Sequence, residues 1–180
     1  MKKNGMKKFI ILLMMANMAL FSGLIASPEG KSNIRRPTMR LASPEFEHNS
    51  MIPSKFTCDG QDVNPKLDIE DIPEETKSLA LIVDDPDAPM GTWVHWVVFN
   101  IPVTSQIQED SVPGRQGIND FRKKNYGGPC PPSGTHRYFF KLYALDIELD
   151  LEEGVRKKNV EQAMEGHILA QAELIGLYKR

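Results

Sequence analysis

The chain has 180 residues, with 24 acidic and 22 basic side chains and a formal net charge of −2 at pH 7. This length is enough for one domain with a sizeable core and a short extension, and it excludes a second domain of ordinary size. The near balance of charge gives no support to a nucleic-acid-binding role. Without the four lysines of residues 1–26, the remaining 18 basic and 24 acidic side chains make the domain itself mildly acidic.

The chain begins with a segment that is typical of targeting sequences. Four lysines within residues 2–8 precede an apolar run at residues 9–26, FIILLMMANMALFSGLIA. This pattern predicts a signal peptide at residues 1–26, and an uncleaved membrane anchor is the alternative because Leu24 makes a mediocre peptidase site. A third alternative is that translation starts at Met39. We therefore expect an exported, periplasmic protein, or one held at the membrane by its amino terminus.

A polar segment follows at residues 27–38, SPEGKSNIRRPT, which contains two prolines and a glycine. This composition predicts a linker without a core of its own. The domain is therefore predicted to occupy residues 39–180.

Short apolar runs separated by proline-rich, glycine-rich and acidic breaks dominate the middle of the chain. Their lengths and their content of valine and aromatic residues are typical of strands, and together they predict a mainly β domain of antiparallel sheets. The runs are Leu67 to Ile69, Ser78 to Val83, Thr92 to Ile101 and Tyr138 to Leu145.

The carboxyl-terminal part differs from the rest. Between Val155 and Ala170, apolar residues and one histidine recur at helical steps and predict one side of an amphipathic helix: Val160, Ala163, Met164, His167 and Ile168. The ELIGLY run from Glu173 to Tyr178 predicts a short closing strand. His48 is assigned to the surface and His167 to helix packing.

Two aspartates stand close together in the DDPDAP segment. Asp85 and Asp87 are separated by Pro86, and the prolines favour a turn, so both carboxylates are predicted to reach one cavity. A nearby aspartate can orient an imidazole and hold it protonated, or accept a hydrogen bond from a cationic or hydroxylated part of a ligand.

The WVHW run at residues 93–96 is predicted to lie in a strand. Alternation then places Trp93 and His95 on one face, towards the cavity, with Val94 and Trp96 on the other. A core histidine that is hydrogen-bonded to a neighbour is the alternative for His95.

Residues 119–138, NDFRKKNYGGPCPPSGTHRY, cannot form a regular helix or a central strand. Prolines fix the backbone and glycines allow tight turns and a close approach to a ligand, here Pro129, Pro131, Pro132, Gly127, Gly128 and Gly134. The loop carries His136 beside Arg137 and Tyr138. Imidazole N–H groups and glycine amides are suitable anion donors, so His136 is predicted to converge with His95 on a bound anion.

The two cysteines admit three states: a disulfide between Cys58 and Cys130, two buried thiols, or a reactive Cys130. Export favours the disulfide, which would close a loop of about 70 residues. Free-thiol counting on native protein decides whether the disulfide is present, and two titratable thiols would exclude it.

Enzymatic chemistry is the less favoured alternative. A histidine with an aspartate supplies the base half of a triad, and Cys130, Ser133 and Thr135 lie near His136 in the chain. None of them stands in a GxSxG nucleophile elbow. The histidines and aspartates also lack the compact spacing of HExxH or CxxC metal motifs, so we predict neither a metal nor another cofactor.

From about Leu41 to Tyr178 the chain contains, in order, SPEF, IPSKFTCDG, DVNP, SLALIVDDPDAP, HWVVFNIP, GINDF, YGGPCPPSGTHRYFFKLYALD and GHILAQAELIGLY. These motifs resemble the phosphatidylethanolamine-binding protein family, and specifically its bacterial Raf kinase inhibitor-like branch. The resemblance implies a Greek-key β-sandwich with a small anion pocket at one end. Carried over position by position, the family's pocket residues are Asp85, Asp87, Trp93, His95, Gly128, Pro129, His136 and Tyr138.

The function expected from these features is non-enzymatic binding of a small phosphorylated or carboxylated group, such as a phospholipid headgroup. The alternative is an interaction protein that inhibits a hydrolase or modulates a protein partner. Both hypotheses exclude a nucleic-acid partner.

Overall fold

The structure is a computed structural model that describes residues 38–180. The predicted signal peptide or anchor at residues 1–26, and residues 27–37 of the predicted linker, lie outside the described residues. Within residues 38–180, no helix is long and apolar enough to span a membrane.

Strands dominate the described part of the chain. One α-helix, α1 (Lys157–Met164), and a turn of 3-10 helix at Ser54–Phe56 accompany nine strands. In chain order the strands are β1 (Arg40–Ala42), β2 (Ser50–Met51), β3 (Leu67–Glu70), β4 (Ser78–Asp85), β5 (Trp93–Ile101), β6 (Gln106–Ile107), β7 (Arg115–Gln116), β8 (Thr135–Leu145) and β9 (Ile168–Lys179). A small sheet has the order β1-β3-β6 and a large sheet the order β2-β9-β8-β4-β5-β7. All pairs are antiparallel except the two-residue pairing of β2 with β9.

The main core lies between the two sheets. Leu79, Leu81 and Val83 of β4 belong to this core, whereas Ala80 and Ile82 belong to a second apolar cluster on the outer face of the large sheet. Both faces of β4 are therefore covered, which explains why its sequence is apolar almost without interruption. The predicted mainly β sandwich with a carboxyl-terminal helix and a closing strand is confirmed.

Helix α1 covers the outer face of the large sheet. Val160 and Met164 pack into the second cluster. Beside them the fully buried carboxylate of Asp84 accepts hydrogen bonds from Nζ of Lys141, at 2.9 Å, and from Nζ of Lys157. A carboxylate without exposed surface is costly unless it is paired. This ion triad therefore fixes β4, β8 and α1 to one another.

The helix is shorter than the spacing of its apolar residues predicts. The expected helix from Val155 to Ala170 is wrong at its end, because α1 stops at Met164 and Gly166 adopts a φ of 80°. Only glycine enters this left-handed region freely, and the chain turns there. From Ile168 onwards it pairs with β8. His167 consequently does not pack on a helix, and its Nδ1 lies 2.9 Å from the Asp146 carboxylate instead.

Candidate functional site

A cavity of about 230 Å³, called the main cavity below, opens where β4 ends, β5 begins and the loop of residues 119–134 crosses. The prediction that residues 119–138 form no central strand is wrong at its end, because residues 135–138 begin β8, which pairs with a strand on each side. Asp85 and His95 supply the polar lining of the cavity. The other lining residues are Ala88, Pro89, Met90, Trp93, Phe121, Cys130, Pro131 and Pro132. The cavity is thus a mostly apolar cleft with two convergent polar groups, which is the usual make-up of a small-molecule site.

A larger groove of about 520 Å³ lies elsewhere, along β1, β3 and β9. Three of its charged side chains already have partners, since Arg40 pairs with Glu70 and Asp68 lies 3.2 Å from Lys66 Nζ. It brings no buried histidine or buried carboxylate together. The main cavity is therefore the better candidate.

A β-bulge in β5 places His95 in the cavity. Val83 pairs with Trp96 and Asp84 pairs with Val94, so His95 is an extra residue opposite one step of β4. The prediction that Val94 and Trp96 share a face is wrong, because Trp96 belongs to the main core and Val94 packs against the outer cluster. A bulge breaks the alternation of a strand and redirects a side chain, a device that is common beside functional sites.

His95 is buried, and its Nδ1 lies 2.7 Å from the carbonyl oxygen of Gly127. A carbonyl oxygen only accepts, so Nδ1 carries the hydrogen. Burial is the main effect on this imidazole and lowers the pKa of His95, against weaker opposing effects from the Gly127 carbonyl and the charge of Asp85. His95 is therefore neutral near pH 7, with Nε2 as a hydrogen-bond acceptor.

Asp85 and His136 form a buried pair beside the cavity. The Nδ1–H of His136 donates to Asp85 Oδ2 at 2.7 Å, and the two side chains are only 9% and 4% exposed. The backbone N–H of Asp87 donates to Asp85 Oδ1 at 2.8 Å, which closes the turn after β4. His136 does not line the main cavity, so it contacts the site through Asp85.

Asp87 takes a different direction from Asp85. Its carboxylate accepts hydrogen bonds from the Arg137 side chain, at 2.7 Å and 2.9 Å, and from the Arg137 backbone N–H at 3.0 Å. The Arg137 side chain is the main cause that lowers the pKa of Asp87 to about 2. Asp87 does not line the cavity, and its visible role is to hold the turn against β8.

Tyr138 does not line the main cavity but packs against His95, which does. Its side chain is fully buried, and its ring meets the His95 ring edge-on with centroids 5.2 Å apart. Burial raises the pKa of Tyr138 well above its usual value, and the charge of Asp85 adds to this effect, so the hydroxyl keeps its proton. Among the described residues, no group meets full hydrogen-bond geometry with this hydroxyl, although the Asp85 carboxylate and the Cys130 backbone lie close enough to influence its pKa.

Gly128 and Pro129 lie behind the cavity and contact the segment that precedes β3. The N–H of Gly128 donates to Asp62 Oδ1 at 2.6 Å, and the carbonyl oxygen of Pro129 accepts from the Cys58 N–H at 3.1 Å. A Cβ on Gly128 would lie 2.5 Å from the carbonyl oxygen of Phe56. Glycine is needed here for close packing of two backbone segments, and its amide is already engaged.

Cys58 and Cys130 are joined in a disulfide, with their Cα atoms 5.5 Å apart. Cys130 also lines the main cavity. The disulfide therefore ties one wall of the cavity to the segment that contacts Gly128 and Pro129.

The other residues considered for nucleophilic chemistry lie outside the cavity lining. Ser133 and Thr135 are exposed and do not line the cavity, and Cys130 has no free thiol because of the disulfide. Within residues 38–180, no group of three or more histidine, cysteine, aspartate or glutamate side chains is placed to hold a metal ion.

A family model described as phosphatidylethanolamine-binding protein matches residues 42–179. The chain belongs to the phosphatidylethanolamine-binding protein family. The family predicted from the sequence motifs is confirmed. One relative is a UPF0098 protein of Methanothermobacter thermautotrophicus, 55% identical over 150 residues that cover 79% of this chain and 99% of the relative. Another, from Aquifex aeolicus, is 53% identical over 152 residues and covers 79% and 89%.

Two solved structures of the phosphatidylethanolamine-binding protein family are similar to this fold. A homologue from Chlamydia trachomatis gives a TM-score of 0.77 at 44% identity and covers 79% of this chain and 98% of that chain. E. coli YbcL, described as a member of the mammalian family, gives a TM-score of 0.74 at 29% identity and covers 80% and 99%.

Two residues of this phosphatidylethanolamine-binding family protein were not selected from the sequence. Phe121 contacts the rings of Trp93 and His95 edge-on, with centroids 5.5 Å and 5.3 Å away. Asn119 is buried, and its side-chain amide donates to the carbonyl oxygens of His95 and Asn125. The sequence signal that could have identified them is the GINDF run at residues 117–121, in which short polar residues precede an aromatic residue in a loop.

Proposed function

We propose that this protein is a non-enzymatic binding protein whose main cavity takes a small phosphorylated or carboxylated group, such as the headgroup of an ethanolamine phospholipid. The observation that carries the proposal is the buried Tyr138 hydroxyl, which has no hydrogen-bond partner among the described residues and lies behind His95. A buried hydroxyl that lacks a partner costs free energy, and a bound oxygen atom would remove that cost.

The polar groups at this site favour a ligand that both donates and accepts. Tyr138 offers a donor O–H, while neutral His95 offers the acceptor Nε2 and Asp85 a carboxylate. The phosphate group has oxygens that accept from Tyr138. In free phosphate or a phosphate monoester the donor to His95 is the phosphate hydroxyl, whereas a phospholipid headgroup, a phosphodiester without that hydroxyl, would donate through its ammonium group. An ammonium group on the same ligand suits Asp85. A headgroup with both charges therefore fits better than a dianion.

The size of the cavity limits the ligand. A volume of about 230 Å³ is below the roughly 300–1,000 Å³ of sites for drug-sized molecules. A headgroup would be enclosed, and the rest of a lipid would stay outside.

The test is an NMR titration with inorganic phosphate and phosphoethanolamine, in which the imidazole resonances of His95 and His136 are followed. We expect both ligands to shift them, with weaker phosphoethanolamine binding above about pH 6, where the phosphate monoester loses its second proton. Tyr138→Phe should weaken binding about tenfold, and Tyr143→Phe on the outer face of β8 should not. Unmoved resonances at millimolar ligand would contradict the proposal.

Phosphate and phosphoethanolamine also separate two sources of the same chemistry. Equal affinity would indicate a phosphate-binding protein, and a clear preference for phosphoethanolamine would indicate headgroup recognition. If neither binds but a protein partner is retained by both the wild type and His95→Ala, the alternative of an interaction protein is favoured.

The non-enzymatic part of the proposal rests on the lack of a hydroxyl or free thiol nucleophile in the cavity lining. Asp85 and His136 together have the make-up of a general base. The lining contains no serine or threonine, however, and its cysteine is disulfide-bonded. We expect no turnover of carboxylic or phosphoric esters. Turnover that is lost in His136→Ala would contradict this.

We also propose that the domain is exported to the periplasm through the amino-terminal apolar run. Amino-terminal sequencing of native protein is the direct test. A start near Ser27 supports cleavage of a signal peptide, an intact Met1 supports a membrane anchor, and a start at Met39 would contradict both.

A further inference from the structure

Phe121 stands between two cavities. A second, smaller cavity of about 70 Å³, called the side cavity below, shares Phe121 and Cys130 with the lining of the main cavity. The side cavity is also lined by Asp62 and Lys123. The ring of Phe121 and the disulfide therefore separate an apolar cleft from a small polar one.

Phe121 is 38% exposed, and its ring is held on the sides that face the protein. It meets Trp93 and His95 edge-on, and a Cβ on Gly127 would lie only 2.7 Å from its Cδ2 atom. The ring therefore packs directly against backbone that has no side chain. Aromatic pairs in this geometry are favourable beyond the area that they bury.

The loop that carries Phe121 is anchored to the strand that carries His95. The N–H of Asp120 donates to the carbonyl oxygen of Val94 at 3.0 Å, and the N–H of Val94 donates to Asp120 Oδ2 at 2.7 Å. Asn119 adds a hydrogen bond to the carbonyl oxygen of His95 at 3.1 Å. The position of the ring relative to His95 is thus determined by the main chain, and a bound ligand does not have to create it.

We propose that Phe121 determines which ligands the main cavity accepts, because its ring closes the cavity off from the side cavity. This inference rests on the proposed function. Loss of the ring would join the two cavities and bring the volume into the lower part of the usual range for ligand sites. A longer ligand would then reach Lys123, whereas Asp62 already accepts from Gly128.

The experiment compares phosphoethanolamine with the longer glycerophosphoethanolamine by calorimetry or NMR titration. We expect the wild type to prefer the short ligand, and Phe121→Ala to shift the ratio of affinities at least tenfold towards the long one. Phe121→Leu should lie between them. Phe139→Ala, which removes an equal ring from the outer face of β8, should leave the ratio unchanged.

The outcomes separate this inference from the proposed function. If the wild type binds neither ligand, the proposed function fails and takes the inference with it. If the wild type binds and the ratio is the same in Phe121→Ala, only the inference is overturned. If Phe121→Ala does not fold, the ratio of the two affinities is measured in Phe121→Leu instead. An unchanged ratio in that variant also overturns the inference.

Discussion

Replacement of both Cys58 and Cys130 by serine should lower the free energy of unfolding by about 4 kcal/mol. The two residues are 72 positions apart, so the disulfide closes a long loop in the unfolded chain. In the chain-entropy model a loop of this length corresponds to about 4 kcal/mol at 25 °C, at the upper end of what removal of native disulfides costs. For a domain of this size the melting temperature should fall by about 10 °C.

Urea unfolding of the oxidised wild type, the reduced wild type and the double serine variant provides the measurement. The chain-entropy model attributes the stabilisation to the unfolded chain. The free energies of unfolding of the reduced wild type and the serine variant should therefore agree within about 1 kcal/mol. A difference of less than about 1 kcal/mol between oxidised and reduced wild type would refute the reasoning. Phosphoethanolamine affinity should also fall on reduction, because Cys130 lines the main cavity.

Three further changes test other parts of the structure. Gly128→Ala should strongly destabilise the folded protein in thermal unfolding, since the new Cβ would lie 2.5 Å from the Phe56 carbonyl oxygen. Gly134→Ala is the control: Gly134 has a φ of 77° with open space around it, so this change should cost only about 1–2 kcal/mol. The pKa of Asp87 is about 2 in the folded state and 3.8 without structure, so this carboxylate stabilises the fold above about pH 4. Its contribution should disappear as the pH falls to about 2, and thermal midpoints of Asp87→Asn and wild type should converge there. Tyr138→Phe should change the free energy of unfolding by less than about 1 kcal/mol while weakening phosphate binding; a large loss of stability would show that the hydroxyl has a partner.

The long central strands could be predicted from local sequence. The apolar run from Ser78 to Val83 forms β4, because a strand covered on both faces has few polar positions. The two-residue strands β2, β6 and β7 are too short for any periodicity, and their pairing depends on distant parts of the chain. The predicted helix was too long because local spacing was misleading there. His167 and Ile168 fit a helical spacing, but the chain turns at Gly166 and then pairs with β8.

Only part of the predicted site lines the main cavity. Of the eight predicted residues, three line it, Asp85, Trp93 and His95, and five do not: Asp87, Gly128, Pro129, His136 and Tyr138. His95 reaches the cavity through a β-bulge that strand alternation did not predict, and ligand binding by any of these residues stays a prediction. The sequence could not show that Asp87 binds Arg137, because that contact requires the register of β8 against β4. Phe121 was missed because only the folded loop brings it next to His95.

Adjacent aspartates at the end of β4 have unrelated surroundings, and this matters for the interpretation of mutational screens. Asp84 is enclosed by Lys141 and Lys157. Its replacement by asparagine leaves Lys141 without its carboxylate and Lys157 with only the more exposed Glu161 at 3.5 Å, and should reduce the yield of folded protein.

Asp85→Asn keeps a side chain of the same shape in the cavity wall. Its oxygen can accept from the Asp87 N–H, and its amide can donate to His136 Nδ1 once that imidazole carries its hydrogen on Nε2, so the change should act mainly on affinity. A screen scored only by loss of binding would rank the two positions alike, whereas expression level and affinity scored separately should distinguish them.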